Sequence, residues 1–117
     1  MNTKPNPIIE LTFDFSLELI KYTELLEKSR KYSICNQLLR AGTSIGANVH
    51  EAQSAESKSD FINKMKIASK EAEETKYWLM LCLKSDNYPN PLFLLNKIEI
   101  IIKILGKIIS SSKKTNI

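Results

Sequence analysis

The sequence predicts an all-α fold, an antiparallel up-down-up-down four-helix bundle. Three observations lead to this prediction. Only three glycines and four prolines occur among 117 residues, which leaves long stretches without a helix breaker. Apolar residues recur at helical spacing in four segments that are joined by short connections. The chain length fits a single domain with one core.

The N-terminal part is predicted to be an extended arm followed by the first helix. Residues 1–11 contain Pro5 and Pro7 and show no apolar period, so we expect an arm there. Thr12 is a suitable N-cap for a helix over residues 13–28. One apolar stripe runs along that helix, formed by Phe15, Leu19, Tyr22 and Leu26.

The second predicted helix covers residues 33–54 and contains two internal glycines, Gly42 and Gly46. A glycine inside a helix costs about 1 kcal/mol relative to alanine. Since this segment tolerates two of them, we expect another element to approach its backbone closely. The alternative is a helix that breaks near Gly42.

The third and fourth helices carry the clearest start signals. Ser57 and Asp60 form an S-x-x-D capping pattern before an apolar run with nearly heptad spacing, which predicts a helix over residues 57–85. Asn90 and Pro91 open the fourth helix, which is predicted to extend to about residue 111. The predicted organisation is an arm over 1–11, a bundle over 12–112 and a Lys-rich frayed tail over 113–117.

The apolar surface of the last two helices is wider than one bundle requires. On a helical wheel the apolar arc of the fourth helix spans roughly 200°, about twice the usual stripe. Large exposed apolar patches mark interfaces, and Trp and Tyr are common anchors there. We therefore expect a homo-oligomer. The alternative is a monomer whose N-terminal arm covers the surplus. The candidate interface residues are Tyr77, Trp78, Met80, Leu81, Ile101, Ile104 and Ile108.

The net charge of +4 is concentrated at the C-terminal end. Residues 91–117 carry five lysines against Glu99 alone, whereas charges balance over residues 1–90. Such asymmetry suggests an anionic partner, and Lys103, Lys107 and Lys114 form the candidate RNA- or DNA-binding stripe. The alternative is a solvated face on a structural or protein-interaction module.

No residue pattern in the chain indicates catalysis, a metal or a cofactor. His50 is the only histidine, and with Cys35 and Cys82 it matches no zinc-site spacing. The two cysteines are expected to be free thiols. We expect a cytoplasmic protein, since no signal peptide and no membrane-spanning run is evident. A candidate structural polar network on the second helix comprises Ser44, Asn48 and Glu51.

Several stretches resemble the bacterial four-helix-bundle family named after the protein encoded in 23S ribosomal RNA intervening sequences, also labelled S23 ribosomal protein. The likeness covers roughly residues 8–112. The stretches that carry it are LLRAGTSIGANVHEA at 38–52, SKSDF at 57–61, IASKEA at 67–72 and ETKYWL at 74–79.

This resemblance implies a homopentameric ring of four-helix bundles. It also implies kinship with the accessory protein of diversity-generating retroelements, which binds a reverse transcriptase and its RNA. In one respect the chain departs from the family pattern: many members have proline at the position of Gly46 and glycine at the position of Ala52. Since proline kinks a helix and glycine need not, the bend of the second helix and the ring geometry stay open.

Overall fold

The computed structural model describes residues 7–114, which form four α-helices and their connections. This part of the chain measures 51 × 22 × 20 Å along its principal axes. The all-α, four-helix prediction is therefore confirmed for the described residues. The helices are α1 (Pro7–Lys28), α2 (Tyr32–Ala52), α3 (Lys58–Lys84) and α4 (Leu92–Lys114).

The helices pack around a common apolar core. Each helix contacts the next one along the chain and α1 also contacts α4, whereas the diagonal pairs do not approach each other. All four helices contribute fully buried side chains, as expected from their apolar stripes. The largest of these are Phe15, Ile8, Leu19, Leu26, Leu38, Ile45, Met65, Leu79, Ile98, Ile101 and Leu105.

The first helix begins earlier than the sequence pattern predicts. It starts at Pro7, where a proline is tolerated because the first turn needs no amide donor. Ile8 is fully buried, and the Thr12 hydroxyl donates to the Ile8 carbonyl oxygen at 2.7 Å, so Thr12 lies inside the helix. The extended-arm prediction is thus wrong for residues 7–11. Residues 1–6 lie outside the described part.

The starts of the two later helices agree with their sequence signals. The Ser57 hydroxyl accepts a hydrogen bond from the Asp60 amide at 3.0 Å, as a helix cap does. The Asn90 side-chain oxygen accepts one from the Leu92 amide at 3.0 Å. Since α4 continues to Lys114, the predicted tail is wrong for its first two residues. Residues 115–117 lie outside the described part.

The two glycines of α2 face α1 at close range. A Cβ added to Gly42 would collide with the Cδ2 atom of Leu19, and one added to Gly46 would lie 3.2 Å from the Thr12 carbonyl oxygen. Because α2 runs unbroken through both positions, the close-approach prediction is confirmed and the broken-helix alternative is wrong.

Tyr22 joins α1 to the loop before α4 at one end of the bundle. Its hydroxyl donates to the Pro89 carbonyl oxygen at 2.6 Å. Burial, reinforced by contact with the Cys82 thiol, raises the pKa of the Tyr22 phenol far above its ordinary value. Cys35 lies at the same level, where its thiol donates to the Thr23 carbonyl oxygen at 3.2 Å. Both cysteines are free thiols, as predicted, and both are buried.

Candidate nucleic-acid interface

Charge is distributed unequally among the four helices. Along α1 five carboxylates outnumber two lysines, for a net charge of −3, whereas along α4 five lysines outnumber one glutamate, for a net charge of +4. α3 carries six lysines and four carboxylates, and α2 is neutral. With the connecting loops included, which add Arg30 and Lys31 to the first pair and Asp86 to the second, the α3/α4 hairpin has a net charge of +5 against −1 for the α1/α2 hairpin.

The three lysines predicted to bind nucleic acid are all exposed on α4. Lys103 and Lys107 are one turn apart, and Lys114 follows two turns later, so they share one face of the helix. None of the three forms an ion pair within the described residues. Their charge is therefore available to an anionic partner.

A cleft of about 520 Å³ lies between the first turns of α3 and the end of α4. The cations at the cleft were not among the sequence predictions. Finding them requires knowing which helices are neighbours, because they are far apart in sequence. The lining residues are Lys58, Ser59, Ile62, Asn63, Lys66 and Lys113.

Most glutamates of the α3/α4 hairpin are engaged elsewhere. Glu99 pairs with Lys76 at 3.1 Å, which links the two helices of the hairpin. Glu71 and Glu74 both pair with Arg40 of α2. Since these carboxylates already have partners, they compete poorly for the lysines of the cleft and the α4 stripe.

The predicted interface residues fall into three groups by exposure. Tyr77, Met80 and Leu81 are 57%, 48% and 38% exposed. Trp78 is half-buried, and its ring lies edge-on to that of Tyr77 with 5.5 Å between the two ring centroids. The first three thus provide apolar surface at the end of α3 that the bundle leaves uncovered.

The predicted interface residues on α4 differ from those on α3. Ile101 is fully buried in the core of its own bundle, so its assignment to an interface is wrong. Ile104 and Ile108 are partly buried against the same core. The wheel argument took an apolar stripe of about 100° as sufficient for packing within one bundle. In the structure α4 packs against both α3 and α1 and buries a wider arc. Exposed apolar residues outside the predicted interface set include Leu92, Phe93 and Ile100 on α4, and Phe13, Leu17 and Ile20 on α1.

The predicted polar network divides into two separate interactions. The Asn48 amide donates to the Ser44 carbonyl oxygen at 2.9 Å and to the Ser44 hydroxyl at 3.1 Å. Glu51 instead pairs with Lys64 of α3 at 3.0 Å. The first interaction is internal to α2, whereas the second ties α2 to α3.

A second cleft, of about 440 Å³, lies between α1 and α2. Its walls are mainly apolar, with His50 and Glu51 at one side and the 64% exposed Phe13 at the other. Across residues 7–114, no group of three or more His, Cys, Asp or Glu side chains is placed to hold a metal ion. None of the four described helices combines the length and apolarity needed to cross a membrane.

Comparisons with known proteins agree with this architecture. The family model of the 23S rRNA-intervening sequence protein matches residues 4–107. The crystal structure of a protein of unknown function from the S23 ribosomal protein family of Bacteroides thetaiotaomicron is 37% identical, with a TM-score of 0.83 over 92% of this chain and 99% of that one. No curated protein matches the chain. The chain is therefore a member of the 23S rRNA-intervening sequence protein family.

Proposed function

We propose that this chain is a non-catalytic, homo-oligomeric helical-bundle protein that binds RNA or DNA through the basic surface of α3 and α4. The observation that carries the proposal is the charge difference between the two hairpins, +5 against −1. A polyanion is attracted to such a surface independently of base sequence. The family name refers to intervening sequences of 23S rRNA, which is consistent with an RNA setting.

The proposal includes an antiparallel up-down-up-down order of helices. Arg40, in the middle of α2, reaches Glu71 and Glu74 of α3, whereas Glu51, later in α2, reaches Lys64, earlier in α3. This order supports opposite directions for α2 and α3. The short connections between successive helices support the same relation for the other pairs.

The homo-oligomeric part of the proposal rests on uncovered apolar side chains. Tyr77, Met80 and Leu81 form one such group, and Phe13 and Leu17 belong to another on α1. Exposed apolar surface of this kind favours association. The resemblance stated above implies a pentameric ring, and we propose that assembly. A ring would repeat the lysine stripe in every copy, so that weak phosphate contacts add through multivalency.

A charge-reversal experiment tests the binding part. Changing Lys103, Lys107 and Lys114 to Glu should abolish binding of mixed RNA and DNA fragments at about 50 mM salt, and wild-type binding should weaken steeply towards about 200 mM. The matched control changes Lys21, Lys28 and Arg30 to Glu. It makes the same change in net charge on exposed residues outside the proposed surface and should keep most of the binding. Absence of wild-type binding at low salt would refute the proposal.

Light-scattering mass tests the oligomeric part. We expect a multiple of the 13.4 kDa chain mass, and five copies if the ring is correct. Changing Met80 and Leu81 to Lys should reduce the mass to that of fewer copies, since buried lysines without partners are costly at an interface. The exposed Leu25 on α1, changed to Lys, serves as a control. A monomeric wild-type chain would contradict this part.

The second candidate function is a protein-interaction module without nucleic-acid binding. The cleft between α1 and α2 favours it, because its apolar walls and exposed Phe13 suit a partner side chain. The resemblance implies a reverse transcriptase as one such partner. Salt dependence separates the two functions, since apolar docking is far less sensitive to salt than phosphate binding.

A further inference from the structure

The cleft between the start of α3 and the end of α4 has the composition of an anion site. Its described lining residues provide three lysines and no carboxylate. Like charges that line one cleft repel each other, and this repulsion is relieved when an anion binds between them. Lys66 and Lys113 are exposed and form no ion pair within the described residues.

The remaining lining residues indicate which anion would fit. Ser59 and Asn63 add a hydroxyl and an amide, which are suitable partners for sugar hydroxyls and phosphate oxygens. Ile62 is half-buried and gives the cleft an apolar wall. The volume of about 520 Å³ lies within the range of about 300–1,000 Å³ typical of small-ligand pockets. A phosphate with its attached sugar meets all three features.

No aromatic side chain is among the described residues that line the cleft. Sequence-tolerant base binding usually depends on aromatic stacking, and base reading depends on side chains directed at base edges. The cleft provides hydrogen-bonding groups and positive charge without a stacking surface. The group it suits is therefore the sugar-phosphate backbone and not the base.

We propose that this cleft is a backbone subsite, in which Lys58, Lys66 and Lys113 hold a phosphodiester group of RNA or DNA and Ser59 and Asn63 contact the adjoining sugar. The inference rests on the nucleic-acid binding proposed above. It assigns part of that binding to a site formed by two helices, in addition to the stripe on α4. A strand held there engages α3 and α4 together.

The test measures fluorescence anisotropy of short labelled oligouridylate, oligoadenylate and oligothymidylate strands. The double variant Lys66→Gln, Lys113→Gln should weaken binding of every strand at least about tenfold at low salt. The slope of log affinity against log salt concentration should become shallower by about 1.4, since two phosphate contacts are lost at ~0.7 each. The control Lys70→Gln, Lys84→Gln removes the same charge from exposed positions of α3 outside the cleft. It should change affinity by no more than about threefold.

A second variant separates a specific cleft from general surface charge. Ser59→Leu with Asn63→Leu keeps every charge but removes the polar groups and partly fills the cleft. The proposal predicts weaker binding, whereas binding by charge alone predicts no change. Uridine monophosphate and inorganic phosphate, tested as competitors at matched ionic strength, should displace the strand poorly, since one phosphate engages only this subsite.

The outcomes distinguish this inference from the function on which it depends. If the wild-type chain binds no strand at low salt, both the function and the subsite are refuted. If it binds, but the cleft variants match the Lys70/Lys84 control, the subsite alone is refuted. Displacement by uridine monophosphate as effective as by unlabelled strand would also overturn it, because the cleft would then be a site for free nucleotides.

Discussion

The two hairpins of the bundle are held together by different means. Between α1 and α2 the backbones meet at Gly42 and Gly46, and no ion pair joins the two helices within the described residues. Between α3 and α4 the Lys76–Glu99 ion pair bridges the helices, and Gly106 faces open space. Tight packing stabilises the first hairpin, whereas the second keeps lysines unpaired on its surface. Stability and binding should therefore respond to changes in different hairpins.

The largest effect is expected where α2 touches α1. Gly42→Ala introduces a Cβ that collides with the fully buried Leu19 side chain, so the core must shift. Overpacking of this kind costs about 1–3 kcal/mol. The change to alanine also gains about 1 kcal/mol in helix propensity. The cost exceeds this gain only when the core cannot relax around the added methyl group. We expect a net loss in the free energy of unfolding, measured by urea titration at fixed protein concentration.

A double variant tests the cause of that loss. In a Leu19→Ala background the colliding methyl groups are absent, so adding Gly42→Ala should cost nothing or restore stability. Contacting residues show such non-additivity, whereas distant ones do not. If the cost of Gly42→Ala is the same in both backgrounds, the collision with Leu19 is not its cause.

The next effect concerns the end of the bundle where Tyr22 meets Cys82. Burial raises the pKa of the Cys82 thiol from its ordinary value of 9.0, and burial likewise raises that of the Tyr22 phenol from 10.0. In alkali the unfolded chain loses these protons before the folded bundle does. Stability should therefore be complete below about pH 9 and fall above it, by up to about 1.4 kcal/mol per pH unit for each group.

Urea titrations between neutral and alkaline pH check this dependence. Cys82→Ala removes the thiol contribution, so its stability curve should fall less steeply than that of the wild type, although its neutral value is lower. Cys35→Ala is a less informative control for Cys82→Ala. Burial and the nearby Glu27 also raise the pKa of the Cys35 thiol, so removing it changes the alkaline dependence as well. An unchanged alkaline slope in Cys82→Ala would show that the thiol does not contribute.

The features that the sequence predicted correctly are local ones. The Ser57 cap depends on residues three positions apart, and the close approach at Gly42 follows from the cost of glycine within one helix. The error at Ile101 and the missed lysines of the cleft depend on neighbours in space. Ile101 was assigned to an interface because a single helix does not reveal that α4 packs on two others. Lys66 and Lys113 went unnoticed as a pair because helix register brings them together.

A smaller effect of opposite sign is expected on the second hairpin. Gly106→Ala places a methyl group where no atom other than those of the neighbouring residues and of the backbone of α4 itself lies within 4 Å, so only helix propensity changes. The free energy of unfolding should rise by about 1 kcal/mol. When Gly106→Ala and Gly42→Ala are compared in the same urea titration, the difference between them reports the effect of the close approach of α1 and α2. If Gly106→Ala destabilised the protein, a further contact at that face, such as one between subunits, would be indicated.

The smallest effect is expected at Arg40, which connects the two hairpins. Its guanidinium pairs with Glu71 and Glu74 of α3, and the Trp78 indole donates to Glu74 at 3.0 Å. Because half of the Arg40 side chain is exposed, solvent screens these pairs. Arg40→Gln should therefore cost less than about 1 kcal/mol, and the cost should shrink at high salt.

Trp78 gives this prediction a second measurement, because it is the only tryptophan in the chain. Its emission should shift in Arg40→Gln if the ion pairs hold Glu74 against the indole, and should not shift in the control Lys21→Gln, which alters an exposed pair within α1. A loss of stability as large as that of Gly42→Ala would mean that ion pairs, and not only core packing, join the hairpins. Charge would then contribute to the fold as well as to binding.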